Sequence, residues 1–251
     1  MTSLALKLAN PFKFSLLHIL LLVVAAAFLA GSIHLSGELS QGSARKALAA
    51  DAAYYKSALN HFQTTYQALP GDMKNASSYW QDCRYDIADC NGNGDGLITS
   101  GASDATTEAA LAWQHLSLSG FINETYSGNL ISGYYIPEQN MPTAPYEDTG
   151  YLIQNSVPYS HASWEQSHFL TVGAISDWRF NNPAVSLSDA MALDEKLDDG
   201  IASTGDIFAY STEKDHCLED YNRQILVGKQ LGHYAKEADA QARCNLYVRL
   251  N

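Results

Sequence analysis

The feature that most constrains this chain is the run FSLLHILLLVVAAAFLAGSI, Phe14 to Ile33, twenty residues without an acid, a lysine or an arginine. As a helix rising about 1.5 Å per residue it reaches roughly 30 Å, the thickness of a bilayer's hydrocarbon layer. Lys7 and Lys13 precede the run and Glu38 is the first formal charge after it. The positive-inside rule then keeps the N-terminus in the cytoplasm and sends the remainder outward. The alternative is a cleaved secretory signal, since a basic flank leads into the run and Ala25, Ala26 and Ala27 lie near its end. The run exceeds the usual apolar region of such a signal, about 7 to 15 residues, which favours a retained anchor.

Helical spacing continues past the apolar run. Ala44, Ala47, Leu48, Ala52, Tyr55, Ala58, Leu59, Phe62, Tyr66 and Leu69 recur at intervals of about three to four, interrupted by the polar Asp51, and no glycine or proline falls between Ser43 and Leu69. This pattern predicts one long helix whose second half packs a single face onto a head, with Pro70 and Gly71 as its stop. His18 sits a turn inside the apolar run, where it is either a neutral imidazole near the interface or a contact to a neighbouring subunit.

At 251 residues the chain has length for one head domain besides the helix. Its 15 basic and 27 acidic side chains give a net charge of −12; with Lys7 and Lys13 set aside, 13 basic residues face 27 acidic ones, or −14. A head so acidic repels nucleic acid and anionic lipid, and no direct nucleic-acid contact is expected. The four cysteines, Cys83, Cys90, Cys217 and Cys244, all lie C-terminal to the apolar run and read as two disulfides in an oxidising compartment. Three pairings are possible, and closeness in sequence favours Cys83 with Cys90 and Cys217 with Cys244. A zinc site would need CxxC or CxxH spacing, which is absent.

The segment FSLLHILLLVV, Phe14 to Val24, aligns without gaps with the apolar helix that opens type IV pilins and pseudopilins, and the chain resembles that family. NHFQTTYQALPGDMKNASSYW (Asn60 to Trp80), NGNGDGLI (Asn91 to Ile98), EAALAWQHLSLSGFI (Glu108 to Ile122) and ALDEKLDDGIASTGDIFAY (Ala192 to Tyr210) are similar to blocks of prepilin-like heads, so the resemblance touches about half the chain. It implies an α+β fold: a long N-terminal transmembrane helix packed on an antiparallel β-sheet head with extra short helices, and a disulfide-closed loop toward the C-terminus. Leader cleavage would fall between Lys13 and Phe14. Lys13 stands where the family has glycine, and His18 where most members have the glutamate that meets the freed amine of a neighbour. These departures suit a tip, initiator or non-polymerising minor subunit. Phe14 and His18 are the implied assembly residues.

The expected organisation is a basic leader over 1–13, a transmembrane segment over 14–35, the periplasmic part of the same helix over 36–69, and the head over 70–251. Within the head, Thr106 or Thr107 caps a helix that runs to Gly120, and Ser186 or Ser188 caps another over Leu187 to Asp199 with Gly200 as its stop. Strands are expected at Leu130 to Ile136, Tyr151 to Gln154, Phe169 to Ser176, Asp206 to Tyr210, Gln224 to Val227 and Leu246 to Leu250, and a long surface loop over Pro137 to His161.

The strongest chemical signal is NGNGDGLIT, Asn91 to Thr99, which matches the first part of an EF-hand-type calcium loop. Asn91, Asn93 and Asp95 would supply side-chain oxygens, Leu97 its carbonyl, and Thr99 its hydroxyl directly or through water. The twelfth position is Ala102, so a bidentate carboxylate would have to come from Asp104, Glu108 or Asp89; a turn that needs no metal is the competing reading. Asp194, Glu195, Asp198, Asp199 and Asp206 form a second acidic group, more simply a solvated helix end. Tyr159 to His168, with Ser160, His161, Ser163, Glu165 and His168, lacks any catalytic spacing, and no GxSxG elbow, HExxH helix, Walker loop or GxGxxG turn occurs. His115 is expected as a packing residue.

The expectation is therefore a structural subunit, not an enzyme: a minor pilin or pseudopilin of a type IV pilus or type II secretion-like filament, anchored in the bacterial inner membrane with its head in the periplasm or an extracellular filament. Its partners would be other pilin or pseudopilin subunits and the inner-membrane assembly platform, and Ca²⁺ is the only cofactor considered. The alternative is a non-polymerising, membrane-anchored binding module with a calcium-stabilised head.

Overall fold

A computed structural model describes residues 16–81, 83, 90–100, 107–155, 167–176, 179–210, 217–219, 232–236 and 242–251. Helix α1 spans Leu16–Tyr66, 51 residues, and the chain divides into two units, Met1–Ser43 and Ala44–Asn251.

In the first unit the side chains of residues 19–26 are described and exposed. Among the described residues no helix is long and apolar enough to cross a membrane, which overturns the expected transmembrane helix and, with it, the expected single-pass inner-membrane location. Lys7, Lys13 and Phe14 lie outside the described residues, as does the side chain of His18.

In the second unit, α1 from Ala44 onward buries Leu48, Ala52, Tyr55, Ala58, Leu59 and Phe62 in one core with the sheet. These positions follow the three-to-four spacing of the sequence. The helix stops at Tyr66, three residues before the expected Leu69, because Gln67 turns into the left-handed region at φ 54°. Helix α2, Glu108–Leu118, is capped by Thr107, whose side chain accepts from Ala110 N at 3.2 Å, and the chain leaves it through Gly120 at φ 73°. Helix α3, Leu187–Leu197, is capped by Ser186, which accepts from Asp189 N at 3.2 Å.

Six strands form one antiparallel sheet: β1 Thr149–Gln154, β2 Phe169–Ser176, β3 Arg179–Asn182, β4 Val185–Ser186, β5 Ile207–Tyr210 and β6 Arg243–Arg249. The order is β1-β2-β6-β4, with β3 on β2 and β5 on β6. Leu152 pairs with Thr171, Leu170 with Val248 and Phe208 with Tyr247, so β2 and β6 carry the centre. The α+β class with an antiparallel sheet thus stands, without the membrane crossing.

Leu130 to Ile136 is a turn instead of a strand. Ser132 and Gly133 both take positive φ, 55° and 84°, and Ile131 faces Tyr134 across them. The buried Asn140 holds this turn, accepting from Ile136 N at 2.7 Å and donating to Asn129 O and Tyr134 O. The short strands β3 and β4 were not foreseen, and Gln224 to Val227 lies outside the described residues.

Among the described residues three polar contacts join α1 to the head, one of them Lys56 Nζ donating to Arg249 O at 3.4 Å. Tyr151 of β1 donates its hydroxyl to Asp51 Oδ2 at 2.7 Å, and Arg45 Nε lies 3.2 Å from Asp189 Oδ1 on α3. Burial first, then the Asp51 carboxylate, raises the Tyr151 pKa well above the phenolic range, so the hydroxyl keeps its proton and donates. Tyr55 adds edge-on ring contacts with Trp113 at 4.9 Å and Tyr151 at 5.4 Å.

Candidate functional site

The turn that follows α1 and the glycine-rich loop at Asn91 lie backbone against backbone. A Cβ on Gly71 would collide with the carbonyl of Glu108, and one on Gly92 with the backbone of Gly71 and Asp72. Gly92 N donates to Met73 O at 3.0 Å across this contact. Glycine is needed at both positions for close approach, and Gly71, at φ 85°, for conformation as well.

A tight loop strands its own N–H groups, and here two carboxylates from outside collect them. Asp72 Oδ1 accepts from Asp95 N at 3.0 Å and Oδ2 from Gly96 N at 2.9 Å. Glu108, first residue of α2, accepts from Asn93 N at 3.1 Å on one oxygen, and from Thr99 N at 3.0 Å and Thr99 Oγ1 at 2.7 Å on the other. Inside the loop, Asn93 Oδ1 accepts from Asp95 N at 2.7 Å and Asp95 Oδ1 from Leu97 N at 2.9 Å, the local turns these side chains favour.

Carboxylate oxygens of Asp72, Asp95 and Glu108 all come within 4.8 Å of one another. Three carboxylates so placed repel. Burial, and to a smaller degree the Glu108 charge, raises the Asp72 pKa from its ordinary value, while the N–H donors of the loop act against the rise. A hard divalent cation, which takes oxygen ligands, would relieve that repulsion, with Asp72, Asp95, Glu108 and Asn93 as its holders.

Of the five predicted ligands, the structure brings together Asn93 and Asp95. Asn91 is turned away to the 3-10 turn Ala76–Ser78, accepting from Ser77 N at 2.9 Å and donating to Ser77 Oγ at 3.0 Å. Thr99 spends its hydroxyl proton on Glu108. Leu97 is tied through its N–H to Asp95. Glu108 was one of three carboxylates considered from outside the loop; Asp104, Asp89 and Ala102 lie outside the described residues. Asp72 was missed, because nothing local to the loop marks a side chain 23 residues before Asp95.

Two buried histidines flank the site. His115 Nδ1 accepts from Gly71 N at 2.8 Å, which leaves Nε2 to donate to Cys90 O at 2.9 Å. His168 Nε2 accepts from Ile98 N at 3.2 Å. Burial pushes both down to about 4, so both are neutral at pH 7. Disulfides join Cys83 to Cys90 and Cys217 to Cys244, the pairs nearest in sequence. Of the Tyr159 to His168 group, Ser160, His161, Ser163 and Glu165 lie outside the described residues.

The second acidic group closes a different loop. Asp194 accepts from Gly200 N at 2.9 Å and from the Tyr234 hydroxyl at 2.8 Å, and Asp198 Oδ2 from Asp206 N and Ile207 N. Asp199 accepts from Ile201 N at 2.9 Å and the Thr204 hydroxyl at 2.6 Å. Burial, opposed by the Tyr234 and Gly200 hydrogen bonds, pushes Asp194 up to about 6.

No family model, curated protein or solved structure matches this chain.

Proposed function

We propose that this chain is a structural subunit, of the minor pilin or pseudopilin kind, that assembles into a type IV pilus or type II secretion-like filament through the N-terminal part of α1. One observation carries the reading: Ile19, Leu20, Leu21, Leu22, Val23 and Val24 are consecutive on a helix and each is 48 to 61% exposed. At about 100° per residue, six consecutive positions cover every face of a helix. A flat groove on one partner cannot cover such a surface; a ring of sister helices, each apolar in the same way, can. The α+β head and its two disulfides agree with the resemblance that suggested the family. The reading assigns the chain no catalysis.

The test is photocrosslinking in the producing cell with the full-length chain carrying benzoylphenylalanine in place of Val23. Adducts to further copies or to other pilin-like subunits are expected, and Leu20→Glu should abolish them. A chain that crosslinks to no subunit of this type ends the proposal.

A second reading, a non-polymerising display module with a calcium-stabilised head, is favoured by the approach of Asp72 and Glu108 to Asp95. It ranks second because each of these carboxylates already accepts a backbone N–H. Calcium titrated into the full-length protein should raise the melting midpoint, and Asp95→Asn should remove the rise; no shift at millimolar metal discards this reading.

A further inference from the structure

Beside the carboxylate-stitched loop lies a cavity of about 680 Å³, within the range of about 300 to 1,000 Å³ typical of small-molecule sites. Its wall comes from four places: the end of α1 with Gln63 and Tyr66, the following turn with Asp72, Lys74 and Asn75, the loop at Gly94 and Gly96, and the pair His168 and Asn251. We infer that this cavity is a binding site for a neutral, hydroxyl-rich ligand, an oligosaccharide.

The polar lining argues for it first. The side chains of Gln63, Lys74 and Asn75 make no hydrogen bond or ion pair among the described residues, though each lines the cavity. An amide offers both a donor and an acceptor, and an ammonium three donors, and a sugar hydroxyl both gives and takes. Groups of this kind facing a cavity match a ligand that carries many hydroxyls at close spacing.

The aromatic wall argues for it next. Tyr66 is held by edge contacts to Tyr79 at 5.3 Å and Trp80 at 5.2 Å, and Tyr79 is itself 54% exposed. A fixed ring beside spare amides suits the C–H face of a pyranose, which is apolar while its rim is polar. The Lys74 alkyl chain lies where a Cβ on Gly94 would be, so glycine there makes room for it. Gly96 has open space where its Cβ would stand.

Charge and topology exclude the competitors. A chain of net charge −12 with Asp72 in the wall is a poor receptor for phosphate or sulfate, and the Lys74 ammonium opposes a bare cation. An extended peptide is recognised by adding a strand to a sheet edge, and no residue of β1 to β6 lines the cavity.

The experiment probes the full-length protein against immobilised neutral oligosaccharides of the malto, cello, chito and manno series, alongside acidic glycans and peptides. The best neutral sugar is then titrated calorimetrically. The expected result is binding of at least one neutral series that weakens by about tenfold or more in the Lys74→Ala, Asn75→Ala double variant, with an unchanged melting midpoint, since both side chains are exposed. Retention of acidic glycans or peptides in preference to neutral sugars overturns the inference. So does the absence of any neutral ligand at millimolar concentration, or binding that the double variant leaves unchanged. Sugar binding is read on the unassembled protein, so its failure is independent of whether the chain forms filaments.

Discussion

The loops at Asn91 to Thr99 and at Asp198 to Asp206 face the same problem and solve it with carboxylates drawn from different distances. Both are glycine-rich, both strand N–H groups, and both satisfy them with acidic side chains. The second loop is closed by Asp194, Asp198 and Asp199 from its own approach, with Tyr234 the distant partner. The first is closed by Asp72, 23 and 24 residues from the N–H groups it accepts, and by Glu108, 15 and 9 residues from its own. A loop tied by its own residues can form early and locally; one tied from outside forms only when helix α2 and the turn after α1 are already in place. The first should therefore be the more cooperative part of the fold, and the more costly to break.

Glu108→Ala tests this most directly. It leaves three donors of a partly buried loop without an acceptor and should cost about 4 kcal/mol, read from denaturant unfolding. Asp198→Ala removes the acceptor of two donors, Asp206 N and Ile207 N, and should cost about 1 to 2 kcal/mol. Equal losses would erase the distinction between the two loops.

The disulfides sharpen the comparison next. Cys83–Cys90, beside the first loop, closes a sequence separation of 7, and Cys217–Cys244, beside the second, one of 27. On the chain-entropy relation, removing the longer closure costs about 3.5 kcal/mol and the shorter about 2.5 kcal/mol. Paired Cys→Ser variants, compared at one temperature, should show that order. Its reversal would mean that the short bridge holds the first loop through native packing around His115 more than through chain entropy.

Acid separates the two loops by sign. The unfolded chain binds a proton at each histidine near pH 6.5, whereas folded His115 and His168 resist it until about 4. Between these values the unfolded state holds more protons, so the contribution of the two histidines falls as pH falls, opposed at the loop only by Asp72, whose raised pKa acts the other way. Asp194 behaves in the opposite way: its folded pKa, about 6, lies above its ordinary 3.8, so acidification from about 6 to 3.8 favours the folded state there. Amide exchange measured at pH 7 and pH 5 should show protection lost first at Gly71 and Ile98, with Gly200 retained. Uniform loss would contradict the assignment of these pKa shifts to separate loops.

Asp72→Asn should cost about 2 kcal/mol, since one amide oxygen still accepts while the amide nitrogen faces an N–H donor. A thermal melt suffices to measure it.

What could be read in advance follows the same division between local and distant causes. The half of α1 from Ala44 was legible because burial on one face imposes a period, and Thr107, Ser186, Gly120 and Gly200 were legible because caps and stops are local chemistry. Leu130 to Ile136 misled, since its aromatic and β-branched content outweighed the Ser132–Gly133 turn that Asn140 holds. Asp51 looked like a flaw in an apolar face; its partner, Tyr151, is 100 residues away, and no local rule reaches that far. At the loop itself the motif predicted inward oxygens, and the structure turns Asn91 outward while bringing in Asp72, which no spacing rule connects to it. The membrane crossing was read from the length of the apolar run Phe14 to Ile33, and among the described residues no helix is long and apolar enough for it.

Asp51 and Arg45 have a mechanical meaning. Apolar side chains such as Leu48, Ala52, Ala58 and Leu59 resist separation from a sheet more than they fix a position along it, so that on this face only the rings of Tyr55 and Phe62 oppose a shift by one turn through their shape. The Tyr151 hydroxyl on Asp51 and the Asp189 carboxylate on Arg45 forbid that shift, since each has a single mate along the axis. A tug along the helix therefore loads both fastenings at once, in shear, and the head would hold its station until both gave way together.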